Sequence, residues 1–367
     1  MKRFLFLTVY PSPYRVDFFD ELGKYADVTV LFSDRTEKSL TRDAQWFTKG
    51  KGNFRAVQLS KRVLSYAGND LCVDVCQWLK KSYDAIVICG YSSPTAMLAI
   101  AYLRLHRIPF YMEVDGGLIR EDSGLKYKFK KLLVGSASEW LSSGPMTTDY
   151  LAHYGADKAS VHMYPFTSLW HEDILSHVPT IDEKMQIRKS LQMREDKIVL
   201  YVGRFTQAKG MDALLQVVPM LDANAGVYFV GGEPTAEHLT YCENQELTNV
   251  HFVGFKKKEA LLEYYQAADL LVLPTKSDVW GLVINEAMAC GLPVITTDQC
   301  VAGMELIENG VNGYLVPVDD DKELAEKINV VLRSDYRKMG EEALETIRPY
   351  TIENMARVHM EIFENGR

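Results

Sequence analysis

Short apolar runs alternate with longer amphipathic stretches from one end of the chain to the other. In the first half the runs are Phe4–Val9, Val28–Phe32, Ala85–Cys89 and Pro109–Met112. In the second half they are Ile198–Val202, Gly226–Val230, Val250–Val253, Leu270–Leu273, Pro293–Thr296 and Tyr314–Val316. Runs this short, often rich in Val and Ile, predict strands buried on both faces, as in parallel sheets. The intervening stretches carry helical spacing, as in Met211–Leu221 and Lys322–Leu332. Strand and helix in alternation predict an α/β fold of doubly wound sheets.

The alternation breaks once. Pro165-Phe166-Thr167-Ser168 follow a strand-like Val161–Tyr164, and Leu169–Pro179 shows neither period. A fresh series then begins with Glu183–Leu191. Two Rossmann-like domains are therefore expected, over residues 1–167 and 168–350. A last helix within 351–367, Ile352–Glu364, is expected to pack back on the first domain. Ligands of such sheets bind outside the carboxyl ends of the strands. With two sheets, the site is expected in the cleft between them.

The first residues, MKRFLFLTVYPSPYR, place two basic residues before an apolar run, as a leader peptide would. The run is only Phe4–Val9 and no small-residue cleavage site follows, so a buried first strand is expected. No stretch approaches the roughly 20 apolar residues of a membrane helix. None of the six cysteines forms a CxxC pair. Cys72 and Cys76 are read as lying one turn apart on the apolar face of a helix with Leu71, Val75 and Leu79. Buried reduced thiols point to a cytoplasmic protein, and the spacing offers too few ligands for a metal.

With 367 residues, 47% of them hydrophobic, the chain can build two sizeable cores, which excludes a disordered or fibrous protein. The net charge of −8 divides unevenly, +5 over residues 1–170 and −13 over 171–367. An acidic chain is not a general nucleic-acid binder, whereas its basic front half suggests an anionic partner on that side.

Two loops carry the chemistry. Gly203-Arg204-Phe205-Thr206-Gln207-Ala208-Lys209-Gly210 follows the strand Ile198–Val202 and precedes a helix. Gly203 permits close backbone approach. Arg204 and Lys209 set two cations at the end of a strand, beside a helix N-terminus, which suits a phosphate or diphosphate. The plain alternative is a surface loop with two solvated cations. The second loop starts after Leu273 and runs through Asp278 and Trp280 into a helix expected from Gly281 to a closing Gly291. The N–H groups of Gly281, Leu282 and Val283 would meet a second face of an anion. Glu286 and Asp278 can accept hydrogen bonds from sugar hydroxyls. Alternatively, Asp278 caps the helix and Glu286 is solvated.

Together, VGRFTQAKGMDALL (202–215) and PTKSDVWGLVINEAMACGLPVITT (274–297) resemble the signature of glycosyltransferase family 4, retaining enzymes of the GT-B fold. VHFVGF (250–255) and YYQAADLLVLP (264–274) follow the same order and spacing. The resemblance covers 197–320 well. In the first half it rests on YPSPYRVDFFDEL (10–22) and the order of strands. It implies that Arg204 and Lys209 bind the donor diphosphate and that Glu286 holds the nucleotide ribose. It also implies that Asp278 contacts the donor sugar and that Val253 and Phe255 line the base. Gly203, Trp280, Gly281, Leu282 and Val283 complete the expected donor site. Asp278 stands where the family usually has Glu, one methylene shorter. In the first domain, Pro11 and Pro13 replace glycines whose N–H groups would face a phosphate, and Arg15 is the candidate substitute cation. Glu113 and Asp115 lie where relatives carry an acceptor-side polar residue, with Asp115 as the candidate; a turn with Gly116 is the plain alternative.

The resemblance implies transfer of a hexose from a nucleotide diphosphate sugar, UDP by family frequency, to an acceptor hydroxyl with retained configuration. Arg204, Lys209, Asp278 and Asp115 would be the catalytic set. A saccharide or lipid-linked acceptor for capsule, exopolysaccharide or O-antigen synthesis is expected. So is no cofactor or metal: the Asp319-Asp320-Asp321 string reads as a helix cap. Lys126, Lys128, Lys130 and Lys131, interleaved with Tyr127, Phe129, Leu132 and Leu133, suit an anionic membrane at the inner face of the plasma membrane, or a solvated helix face. Two other classes share the architecture: a nucleotide-sugar epimerase and a non-catalytic two-domain sugar-binding protein. An NAD enzyme is disfavoured, since no GxGxxG follows the first strand.

Overall fold

The computed structural model describes residues 1–34, 52–66, 69–222 and 224–366. The chain forms two units, Met1–Ser168 with Tyr350–Arg367, and Leu169–Pro349.

The described strands of the first unit are β1 (Arg3–Thr8), β2 (Asp27–Phe32), β3 (Arg55–Gln58), β4 (Arg62–Tyr66), β5 (Asn69–Cys72), β6 (Ala85–Cys89), β7 (Tyr111–Val114), β8 (Glu139–Ser142) and β9 (Val161–Met163). Seven of them form one sheet in the order β3-β2-β1-β6-β7-β8-β9. Each neighbouring pair is parallel. Strands β4 and β5 make a separate antiparallel pair. The order runs outward from β1 in one direction and from β6 in the other, so the loops after these two strands diverge at the topological switch point.

Helix Ile352–Asn365 belongs to this unit. Its buried residues, Ile352, Met355, Ala356, His359 and Phe363, recur at helical spacing and form one apolar stripe. Phe363 packs against Phe4, with ring centroids 4.8 Å apart, and against Phe6 at 6.2 Å.

The second unit holds β10 (Lys197–Val202), β11 (Ala225–Val230), β12 (Val250–Val253), β13 (Leu270–Leu273), β14 (Val294–Thr297) and β15 (Gly313–Val316). Their order is β12-β11-β10-β13-β14-β15, and all pairs are parallel. Here the switch point falls between β10 and β13. Those two strands lead into the two loops singled out from the sequence.

One expectation needs correction. Cys72 is not helical. It ends β5, where its N–H donates to Thr95 Oγ1 and its thiol to the Ser33 carbonyl. The helix that follows is the short Val75–Leu79. The acidic Asp319–Asp321 string does cap a helix: Asp320 accepts from the Glu323 N–H at 2.9 Å, ahead of helix Asp321–Arg333.

Candidate functional site

The loops after β10 and β13 are knitted together. The Lys276 N–H and the Thr275 hydroxyl both donate to the Ala208 carbonyl, at 2.9 and 2.7 Å. Gly210 lies where they cross. It has φ +68°, and a Cβ there would sit 1.7 Å from the Pro274 carbonyl oxygen. Only glycine satisfies both the left-handed backbone and the close approach. Beneath the first loop, the buried Tyr201 hydroxyl donates to the Arg204 carbonyl at 3.1 Å and the Lys209 carbonyl at 3.4 Å.

This crossing brings the Lys209 ammonium onto the Asp278 carboxylate as an ion pair. Both side chains keep part of their surface open. Asp278 is not the helix cap, because that position is Gly281, at φ 101°. The Asp278 N–H instead donates to the Gln299 carbonyl at 2.9 Å, and the Cys300 thiol donates to the Trp280 carbonyl at 3.1 Å. Burial beside Asp278 pushes that thiol up to about 12. The loop is thereby pinned to the chain after β14. Arg204 is exposed and makes no ion pair among the described residues.

Helix Leu282–Ala289 follows. The N–H groups of Gly281, Leu282 and Val283 have no carbonyl one turn earlier in the helix to receive them. Glu286 is half-buried and accepts a hydrogen bond from the Tyr265 hydroxyl at 2.9 Å. Tyr265 was not singled out from the sequence; its place one strand before the loop makes it look like a core residue. Trp280 requires a correction. It is 3% exposed and its indole N–H donates to Asn285 Oδ1 at 2.9 Å, so it anchors the loop from inside. Gly203 abuts the next loop: a Cβ on Gly231 would stand 2.6 Å from the Gly203 carbonyl. Val253 is half-buried and Phe255 exposed, at the end of the edge strand β12.

In the first unit, the three acceptor-side candidates converge. Arg15, in helix Pro13–Leu22, donates from one branch to Glu113 Oε1 at 2.7 Å and from the other to Asp115. Arg15 is buried and its fork is committed to two carboxylates, which corrects its reading as a cation offered to a phosphate. Glu113 also accepts from the Cys89 thiol at 3.0 Å, and Asp115 accepts from the Tyr164 hydroxyl at 3.0 Å. His359, from the C-terminal helix, lies 3.7 Å from Glu113.

The two carboxyls are driven apart. Burial works to raise Glu113, but Arg15 and His359 outweigh it and hold the carboxyl well below the usual range. Desolvation and the neighbouring Glu113 push Asp115 upward, against the pull of Arg15. Glu113 therefore contributes stability that is complete above the ordinary carboxylate range and is lost as pH falls through its lower folded value. Asp115 acts in the opposite sense, and its contribution fades as pH rises through its raised value. Paired carboxyls pushed apart in this way mark candidate acid–base sites.

Two Rossmann-like units of this topology constitute the GT-B class of fold. Residues 182–346 match the family described as glycosyl transferases group 1. The matched stretch lies within the second unit. The chain is 32% identical over 157 residues to an uncharacterized glycosyltransferase of Methanocaldococcus jannaschii, covering 41% of this chain and 40% of that one. It is 27% identical to the N,N'-diacetylbacillosaminyl-diphospho-undecaprenol alpha-1,3-N-acetylgalactosaminyltransferase of Campylobacter jejuni, over 43% of this chain and 42% of the relative. The chain thus spans about two fifths of the length of these relatives. Among solved structures, Anabaena Alr3699/HepE in complex with UDP and glucose superposes with a TM-score of 0.75 at 18% identity, over 99% of this chain and 100% of that one.

Proposed function

We propose that the protein is a retaining glycosyltransferase that moves a hexose from a UDP-sugar to an acceptor hydroxyl. The observation that carries this reading is the crossing of the two loops at Gly210, which sets Lys209, Asp278 and the start of helix Leu282–Ala289 around one place. The arrangement offers cations and free N–H groups to a diphosphate, with carboxylates at Asp278 and Glu286 for sugar hydroxyls. The leaving nucleotide gains negative charge as the glycosidic bond breaks, and Lys209, Arg204 and the helix N-terminus stabilise it. Asp115, with Arg15 and Glu113, serves the acceptor side. No enzyme nucleophile and no metal is required. The UDP and glucose of the Anabaena structure favour UDP as the nucleotide.

A panel of UDP, GDP and their sugars tests the donor by thermal shift. At about a hundred times its Kd the true ligand adds about 2.7 kcal/mol to apparent stability, and UDP is expected to raise the midpoint more than GDP. Product analysis should then give a glycoside of the donor's own anomeric configuration, formed equally well in EDTA. Free sugar isomerised without an acceptor would identify an epimerase instead.

The acceptor is proposed to be lipid-linked, as the name of the Campylobacter relative describes for that protein. Helix Gly124–Val134 exposes Leu125 (83%), Phe129 (49%) and Leu132 (49%) at helical spacing. Lys128 and Lys131 are exposed on the same helix. Lys126 and Lys130 bind Asp122 at 2.8 and 2.7 Å, so the basic surface is smaller than the sequence suggests. No described helix is long and apolar enough to cross a membrane. A peripheral contact combining apolar area with anionic lipid is the proposal. The protein should sediment with anionic liposomes at low salt and release partly at high salt; absence of pelleting excludes the contact.

A further inference from the structure

We propose that His359 is a positioning residue for the acceptor-side carboxylates, supplying the second positive charge of a buried quartet with Arg15, Glu113 and Asp115. The proposal rests on the glycosyl-transfer reading, in which Asp115 faces the acceptor.

His359 is fully buried. Its ring is wedged between Phe18 and Tyr164, each with centroids 4.7 Å away. Its Nδ1 lies 2.8 Å from the Met355 carbonyl. A carbonyl only accepts, so Nδ1 carries a proton. The other nitrogen, Nε2, has no hydrogen-bond partner among the described residues. It is aimed at Glu113 Oε1, 3.7 Å away.

That placement is poor for a neutral ring. A neutral His359 turns a buried lone pair toward a carboxylate oxygen and leaves it unsatisfied. A proton on Nε2 makes the contact an ion pair, and two cations then face two carboxylates. The titratable groups around it are Arg15 from helix Pro13–Leu22, Cys89 at the end of β6, Glu113 and Asp115 at the end of β7, and Tyr164 after β9. Within this group Glu113 is shared between Arg15 and His359. Removing the charge of His359 leaves Glu113 to draw Arg15 alone, and the other branch of the guanidinium loosens from Asp115. His359 thus sets how firmly Asp115 is oriented without touching the acceptor.

Pure packing is the rival explanation, and substitution separates the two. His359→Phe keeps the ring contacts and loses both nitrogens. His359→Gln keeps an N–H that can reach Glu113 but carries no charge. UDP release from UDP-glucose is the turnover probe, followed on the full chain from pH 5 to 9. His359→Phe should lower kcat by about tenfold, a fraction of what a general base contributes. KM for UDP-glucose and the UDP thermal shift should not move, and His359→Gln should be intermediate. In parallel, protein labelled with 15N-histidine reports the ring directly, with the His359 signal assigned by its loss in His359→Gln. In Glu113→Gln the 15N shifts of its two ring nitrogens should move from the matched pair of a doubly protonated ring toward the split pair of a neutral tautomer. Wild-type kcat in a folded His359→Phe, or ring 15N shifts that do not move in Glu113→Gln, overturns the proposal. Absence of UDP release by the wild type from any UDP-sugar would instead count against the transfer reading, and the ring 15N shifts would still decide the coupling.

Discussion

Lys209→Ala is expected to lower the turnover of sugar transfer about 10²–10³-fold, with little change in the unfolding midpoint. The size is that of removing one preorganised donor to a developing anion, about 2.7–4 kcal/mol. Lys209 fits that description because its position is fixed before any substrate arrives. The Tyr201 hydroxyl holds its carbonyl, the Gly210 crossing sets its loop, and Asp278 orients its ammonium. Stability should survive because Asp278 is not sealed in and water can replace the lost cation. The loss should fall mainly on kcat, since the charge that Lys209 meets appears as the bond breaks. Arg204→Ala should cost less, at least about tenfold, because Arg204 is exposed and unpaired by any described carboxylate. Steady-state rates with the best donor of the thermal-shift panel decide the matter. Unchanged kcat in Lys209→Ala would remove the diphosphate role.

Gly210→Ala is the second large effect, and it strikes the fold first. The left-handed backbone costs an L-residue about 1–2 kcal/mol. Forcing a methyl against a fixed carbonyl adds about 1–3 kcal/mol of overpacking strain. A loss of about 2–5 kcal/mol is expected, read from the urea midpoint. The two loops must also part, so the UDP-induced thermal shift should shrink with it. Gly124→Ala is the control: no atom lies within 4 Å of its added Cβ, and its effect should be within about 1 kcal/mol. A Gly210→Ala protein as stable as wild type would mean that the crossing is not rigid.

Most strands were legible because their apolar runs are short and rich in aliphatic residues; the buried Ala85–Cys89 and Leu270–Leu273 and the half-buried edge strand Val250–Val253 coincide with their runs. Those missed lack that signal. β3, RAVQ, is largely exposed at a sheet edge. In β8, EWLS, Glu139 is polar because it binds His162 at 2.7 Å. The Cys72–Cys76 pair misled because a spacing of four suits a helix, while the chain turns between strand β5 and the short helix after it. In the candidate site, loop order revealed Arg204, Lys209, Asp278 and Glu286, since they lie close in sequence to the strands that place them. Which partners meet was not legible. The pairing of Lys209 with Asp278, the fork of Arg15 over Glu113 and Asp115, and the approach of His359 all join distant segments. Trp280 looked available for the same reason that it is not: a loop aromatic is as often an anchor as a contact.

The C-terminal helix also orders events during synthesis. Residues 169–349 form one uninterrupted stretch and can close as soon as they emerge. The first unit emerges earlier but is finished last. Until residues 350–367 are made, the aromatic surface of Phe4, Phe6 and Phe18 and the carboxylate at Glu113 wait for Phe363 and His359. The half of the molecule made first therefore spends the longest time incomplete. A nascent chain stopped before the last helix would carry a folded second unit beside a first unit that still needs shelter.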